Sequence, residues 1–298
     1  MEADESFDLT KYVADDIAKY SGISMPVKAG LLQRLLIKKL PCKKLHMNPD
    51  DEFTHPEVGP SYRVISEYTQ KFVHNYEVTG NYFFQQEPLI VEKLYPDGYR
   101  ILNGHHRWAA AFKLKKKKIN INIVNMTHEA EIKEIIRNSK HDKRVTMDLD
   151  EIVFFDEKNT AQDKAEKALG FPFNRIYKER LRLGIPALFR CLERNGYDIW
   201  VFSAKYYSND YIKALFRKYH VNVTGIVTGT EKRKDKVKGK YDNLLKEKYK
   251  HTLHIDNDLV LQIDTASGDF HEHNIDASSG WSKAVIDIIE EMAKSEEQ

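Results

Sequence analysis

Arg144-Val145-Thr146-Met147-Asp148-Leu149-Asp150-Glu151-Ile152-Val153-Phe154 decides how the second half of this chain is read. The stretch opens as a β-favouring run and passes into two carboxylates two residues apart. Side chains alternate faces along a strand. A strand that ends at Asp148 turns there and brings Asp148 and Asp150 to its C-terminal edge, where open α/β sheets hold their sites. Two carboxylates at that edge can bind Mg²⁺ through oxygen and can divide the roles of nucleophile and proton donor. An isolated Asp-x-Asp is also a common surface turn, so its meaning rests on what the chain supplies downstream.

Downstream, strand and helix alternate, a pattern that predicts a parallel sheet flanked by helices. After the strand ending at Asp148 come residues 198–202 ending at Ser203, residues 223–228, and residues 252–255 ending in Asp256-Asn257-Asp258. Helices are expected near residues 161–169, 176–195, 209–220 and 241–250, with a last one over 282–294. Each polar strand end has a bland reading as a turn, a strand-end hydroxyl or a solvated lysine. Their occurrence in one order is what adds up.

Over residues 144–294 the chain resembles the haloacid dehalogenase-like phosphohydrolases. The carriers are a hydrophobic strand then Asp148-Leu149-Asp150, a strand ending in Ser203, a lysine for which Lys240 fits best, and the acidic strand end at Asp256, with Asp258 nearby. Ile152 stands where that family usually has Thr or Val. Lys240 lies in a run with Lys232, Lys234, Lys236 and Lys238, so the assignment can slip along it. The resemblance implies phosphoryl transfer, which asks mainly for positioning and charge neutralisation. Asp148 would form an aspartyl-phosphate, and Asp150 would act as acid and then base. Ser203 and Lys240 would hold the phosphoryl oxygens. Asp148, Asp150 (through its carbonyl) and Asp256 would hold Mg²⁺. About 55 positions separate Asp148 from Ser203, too few for a large cap. An open site of this kind admits a large phosphorylated substrate such as a phosphoprotein or a nucleic-acid end.

In the first half, helices are expected over residues 8–20, 26–40 and 61–76, and a short strand over 43–47. A hairpin follows, from strand 88–94 through Pro96-Asp97-Gly98 to strand 99–102. It leads straight into Asn103-Gly104-His105-His106-Arg107-Trp108 and an alanine-rich helix. A helix N-terminus offers free N–H groups and a positive dipole end. Gly104 lets backbone approach an anion, Arg107 can pair with phosphate through two nitrogens, and His105 and His106 add donors. The alternative is an ordinary strand-turn-helix with a surface arginine.

This segment resembles the ParB/sulfiredoxin-like fold over residues 40–126, in which Gly-x-x-Arg holds nucleotide phosphates at a helix start. Here that set is Gly104, His105, His106 and Arg107. Sulfiredoxins carry Cys after the glycine, where this chain has His105, so their chemistry is not expected. ParB-like free-serine kinases share Gly104, His105 and Arg107. The resemblance leaves open a bound nucleotide (ATP, ADP or CTP) acting as a switch, a nucleotide-dependent kinase with Asp51 or Glu52 as base, and a nucleic-acid-binding regulator. The helix-turn-helix expected of such a regulator is replaced by the second half of the chain.

The expected fold class is therefore α/β. Helices over residues 1–39 precede a ParB/sulfiredoxin-like α+β domain over 40–143. A Rossmann-like haloacid dehalogenase-like domain with a parallel sheet and minimal cap then covers 144–298, with the boundary in the polar stretch 140–143. Composition agrees with a globular protein: of 298 residues, 41% are hydrophobic and 31% charged. Lys plus Arg is 47 against 45 for Asp plus Glu, a net +2, so charge alone demands no nucleic-acid partner. The lysine runs at 115–118 and 232–240 read first as solvated surface, with nucleic-acid or other polyanion contact as the alternative. Cys42 and Cys191 form no spaced motif, which points to a reducing cytosol. No apolar run reaches the length of a membrane span, and the acidic start is unlike a signal peptide.

Overall fold

The computed structural model describes residues 8–20, 22–158, 164–230, 241–265 and 267–296. The chain divides into two compact units, 1–125 and 126–298.

The first unit is built on a mixed sheet. α1 (Leu9–Tyr20) buries Leu9 and Val13 on one face. β1 (Met25–Pro26), α2 (Leu31–Leu36), β2 (Lys39–Pro41) and β3 (Leu45–His46) follow. The expected helix over 26–40 is thus cut to six residues. Pro26 joins β1 on β4 instead of opening a helix, and Lys39–Pro41 leave the helix to pair with β6. The leucines expected to face a core are outside: Leu32 is 70% exposed and Leu36 74%. α3 (Tyr62–Thr79) starts where Ser61 Oγ accepts the Val64 N–H and ends at the left-handed Gly80.

β4 (Leu89–Tyr95) and β5 (Tyr99–Asn103) form the expected antiparallel hairpin. α4 (His105–Lys113) and β6 (Lys118–Ile123) complete the sheet, in the order β2-β6-β4-β5-β3 with β1 beside β4. Trp108 and Ala109 to Ala111 lie buried with Leu89, Val91 and Ile101. Three successive alanines let α4 sit close on the strands, and that proximity fixes where its N-terminus points.

The second unit opens with α5 (Glu129–Asn138), earlier than the boundary expected at 140–143. The reason is packing: Ile132 and Ile136 share a core with Trp200, Val227 and Tyr249. β7 (Lys143–Asp148), β8 (Tyr197–Ser203), β9 (Gly225–Thr228) and β10 (His251–Ile255) run parallel. β11 (Leu259–Asp264) and β12 (Phe270–Asn274) extend the sheet antiparallel, and no expectation covered them. The order is β12-β11-β10-β7-β8-β9, so β7 is paired on both sides. α6 (Phe173–Ile176), α7 (Ile185–Arg194), α8 (Asn209–Lys218), α9 (Asp242–Lys248) and α10 (Trp281–Glu296) are the remaining α-helices among the described residues.

Alternation along the strands serves two cores. Val145, Met147, Ile199 and Val201 face one that includes Leu188 and Phe189 of α7 and Val285 of α10. Trp200 faces the other. Burial on both faces is what parallel strands require.

One expected helix does not form. The described part of 161–169 is extended, with Ala165 bridged to Arg182 and Phe154 to Leu181. Backbone bonds from Glu166 N to Leu181 O and from Leu183 N to Lys164 O, both about 2.8–2.9 Å, hold it there. The helix expected over 176–195 begins only at Ile185, after the left-handed Gly184. A Cβ at Gly184 would lie 2.5 Å from that of Ser282.

Candidate active site

Three polar residues arrive at one edge of the second sheet because their strands are neighbours in register. Asp148 pairs with Phe202, the residue before Ser203. Ile255 pairs with Met147, so Asp256 leaves β10 beside Asp148. Adjacent strands lie about 4.8 Å apart, which sets the spacing of the three strand ends.

After Asp148 the chain makes a wide helical turn over Leu149–Val153, closed by a 2.8 Å bond from Phe154 N to Leu149 O. Leu149, Ile152 and Val153 are buried and anchor it. Asp148 Oδ1 accepts the N–H of Asp150 at 2.7 Å and of Glu151 at 2.8 Å. Burial pushes the Asp148 carboxyl above the ordinary aspartate range, with a smaller push from the neighbouring Asp150 charge, against the two N–H bonds that pull it down.

The same turn swings Asp150 back toward β8. Ser203 Oγ donates to Asp150 Oδ2 at 2.5 Å, Tyr207 OH donates to Oδ1 at 2.9 Å, and Lys205 Nζ lies 3.0 Å from Oδ1. Ser203 Oγ in turn accepts the Lys205 N–H at 3.0 Å. Ser203 is fully buried. Its one proton is directed at Asp150, not outward toward a ligand, which differs from the phosphate-holding role expected for it.

Asp256 is exposed, and its Oδ1 accepts the Asn257 N–H at 2.7 Å. Asn257 is held by Arg182 Nη1, 2.9 Å from its Oδ1, and by Trp281 Nε1, 2.9 Å from its carbonyl. Arg182 stacks on the Trp281 ring at 4.0 Å. Lys240 and the rest of the run from Lys232 lie outside the described residues. Among the described residues no three His, Cys, Asp or Glu side chains form a metal-holding group. The expected cation site differs from such a group, since it comprises two carboxylates and a carbonyl.

In the first unit, Gly104 holds φ +103° at the start of α4. A Cβ there would stand 2.5 Å from Leu89 Cδ2 and 3.0 Å from Arg107 Nε and Nη2. Glycine is thus what lets Arg107 fold back over its own helix start. Arg107 is buried, with Nη1 donating to Glu87 O at 2.8 Å and Nη2 to Asn103 Oδ1 at 3.1 Å. In this arrangement the guanidinium ties the hairpin to α4, and an anion would meet it by taking over those bonds. His105 is buried, with Nδ1 3.4 Å from Asp51 Oδ2 and its ring stacked on Phe53. His106 Nε2 accepts the Ser61 N–H at 3.1 Å. Asp51, one of the two residues weighed as a base, is thereby paired with His105.

Residues 83–151 match the ParB N-terminal domain family. The match takes in Gly104 to Arg107 and runs across the division at residue 125 as far as the wide turn. No curated protein matches the chain. Among solved structures, the chain is similar to the C-terminally truncated chromosome-partitioning protein ParB of Caulobacter crescentus, solved in complex with the centromeric parS site. Identity is 20% and the TM-score 0.23, over 35% of this chain. The chain spans 47% of the length of that protein. Among the described residues no helix is long and apolar enough to cross a membrane.

Lys205 and Tyr207 were missed in the sequence. Their only signal is position, two and four residues after a polar strand end, where a chain leaving a parallel strand stays near the sheet edge.

Proposed function

We propose that the second unit is a Mg²⁺-dependent phosphohydrolase of the haloacid dehalogenase-like type, acting through an aspartyl-phosphate. The ParB-like region would be its nucleotide- or phosphate-binding module. The observation that carries this reading is Asp150 bonded to Ser203 across the strand ends, beside Asp148 with one free carboxylate oxygen. Asp148 Oδ2 has no hydrogen bond among the described residues, so it can attack phosphorus while Oδ1 stays fixed by two N–H groups. The P–O ester bond breaks as the Asp148 O–P bond forms. Asp150 gives a proton to the departing oxygen, then takes one from the water that opens the aspartyl-phosphate.

The donors suit a hard cation: the Asp148 carboxylate, the exposed Asp256 and the Asp150 carbonyl would all offer oxygen. The Asp150 side chain is already occupied by Ser203, Tyr207 and Lys205. When bound, Mg²⁺ supplies charge neutralisation at the phosphoryl oxygens. Lys205 is a second candidate, beside Lys240, for meeting those oxygens.

The test is turnover of p-nitrophenyl phosphate with Mg²⁺ and with EDTA, by the wild type and Asp148→Asn. Mg²⁺-dependent turnover that Asp148→Asn abolishes is expected. Equal rates in the two proteins sink the reading.

A nucleic-acid-binding regulator is the second reading, favoured by the match of residues 83–151 to the ParB N-terminal domain. It predicts DNA or RNA binding that weakens steeply with salt. Binding absent at low salt removes it.

A further inference from the structure

Tyr207 is held from two directions. Its carbonyl accepts the Thr228 hydroxyl at 2.9 Å, fixing the backbone to the end of β9. Its ring meets Phe154 edge-on at 5.8 Å, against the residue that closes the wide turn. Its hydroxyl then reaches Asp150 Oδ1 at 2.9 Å. Asp148 and Lys205 are charged neighbours of Asp150, and Glu179 is a charged neighbour of Tyr207.

Asp150 therefore has two fixed donors, Ser203 and Tyr207, one on each oxygen. Lys205 is 69% exposed and Tyr207 is not, so the long lysine cannot hold the carboxylate plane as a rigid ring does. We infer that Tyr207 is a positioning residue that aims the Asp150 carboxyl at the departing oxygen of the substrate. This rests on the phosphohydrolase reading above. It restricts the advantage of the site to esters whose leaving oxygen needs a proton, such as alkyl or unactivated aryl phosphates.

Tyr207→Phe keeps the ring and removes the donor. The experiment compares kcat/KM for phenyl phosphate and p-nitrophenyl phosphate, which share a shape and differ in leaving-group basicity. A positioned acid contributes about 10²–10⁴ in rate. A loss of about tenfold on phenyl phosphate and under about threefold on p-nitrophenyl phosphate is expected from misaiming it. An equal loss on both esters, or none, overturns the role of Tyr207 while leaving the phosphohydrolase reading intact. No Mg²⁺-dependent turnover of either ester by the wild type removes that reading and this inference together. A melting temperature for Tyr207→Phe close to the wild type separates aim from folding.

Discussion

Ser203 and Asp150 lie 53 positions apart in sequence and share a 2.5 Å hydrogen bond across the ends of neighbouring strands. The hydroxyl also accepts the Lys205 N–H, so one oxygen fixes both a carboxylate and the start of the loop that carries Tyr207. Under the phosphohydrolase proposal, Ser203→Ala should lower kcat about 10- to 100-fold, a part of what a positioned acid supplies. It should cost only about 1 kcal/mol of stability for the bonds lost. Steady-state kinetics beside a urea melt checks both. A loss of stability with kcat intact would make the bond purely structural.

Asp148→Asn should change stability with a definite pH dependence. Burial raises the folded carboxyl above its ordinary value of 3.8, so the folded state binds that proton more tightly than the unfolded state. Stability associated with the proton is present at low pH and is lost as pH rises through the raised value. Asparagine never ionises and still accepts both N–H groups. In EDTA the variant should melt above the wild type at pH 7, with the difference closing below about pH 4. A variant that melts lower at pH 7 would contradict this.

Gly104→Ala should destabilise the first unit by about 2–3 kcal/mol. The cause is a φ of +103° that L residues rarely adopt, together with a Cβ 2.5 Å from Leu89. Thermal unfolding of the whole chain would report it, and a shift within a degree of wild type would refute it.

Asp198, at the opposite edge of the second sheet, is buried and accepts from Ser139 Oγ and from Tyr249 OH at 2.7 Å, with His141 Nδ1 at 3.0 Å. Asp198→Ala strips partners from a Tyr249 that is itself fully buried. A loss of about 2–4 kcal/mol is expected, because unsatisfied buried polar groups cost more than a net hydrogen bond gives. Under the phosphohydrolase proposal, turnover at low temperature should survive, since Asp198 lies near the start of β8 and Ser203 ends it.

Periodicity carried the parts of the fold in which burial is regular. The strands of the second sheet that end at Asp148, Ser203 and near Asp256 are read directly from their apolar runs, as is the hairpin of β4 and β5 from Pro96-Asp97-Gly98. Local pattern failed where partners are distant. Leu31 to Leu36 look like part of a long core helix, yet strand pairing by Pro26 and Lys39–Pro41 cuts that helix to six residues. Residues 164–169 look helical but are held by backbone bonds to Leu181 and Leu183. The expected boundary at 140–143 falls on the wrong side of α5 because nothing in 126–142 reveals that Ile132 and Ile136 meet Trp200. At the site the acidic residues were visible by spacing. The donors that orient Asp150 were not, because hydrogen bonds from Lys205 and Tyr207 depend on a loop path that no periodicity encodes.

The position of β7 bears on how the molecule can be cut. The similarity to the ParB N-terminal domain ends at residue 151, inside the wide turn, while β7 lies between β8 and β10. A fragment stopped there would carry β7 without either neighbour, its peptide groups bare along two edges and Val145 and Met147 stripped of their core. Such a strand recruits other copies of itself, and insolubility would then be mistaken for a property of the ParB-like region. Ending the fragment at Asn125 leaves each sheet whole.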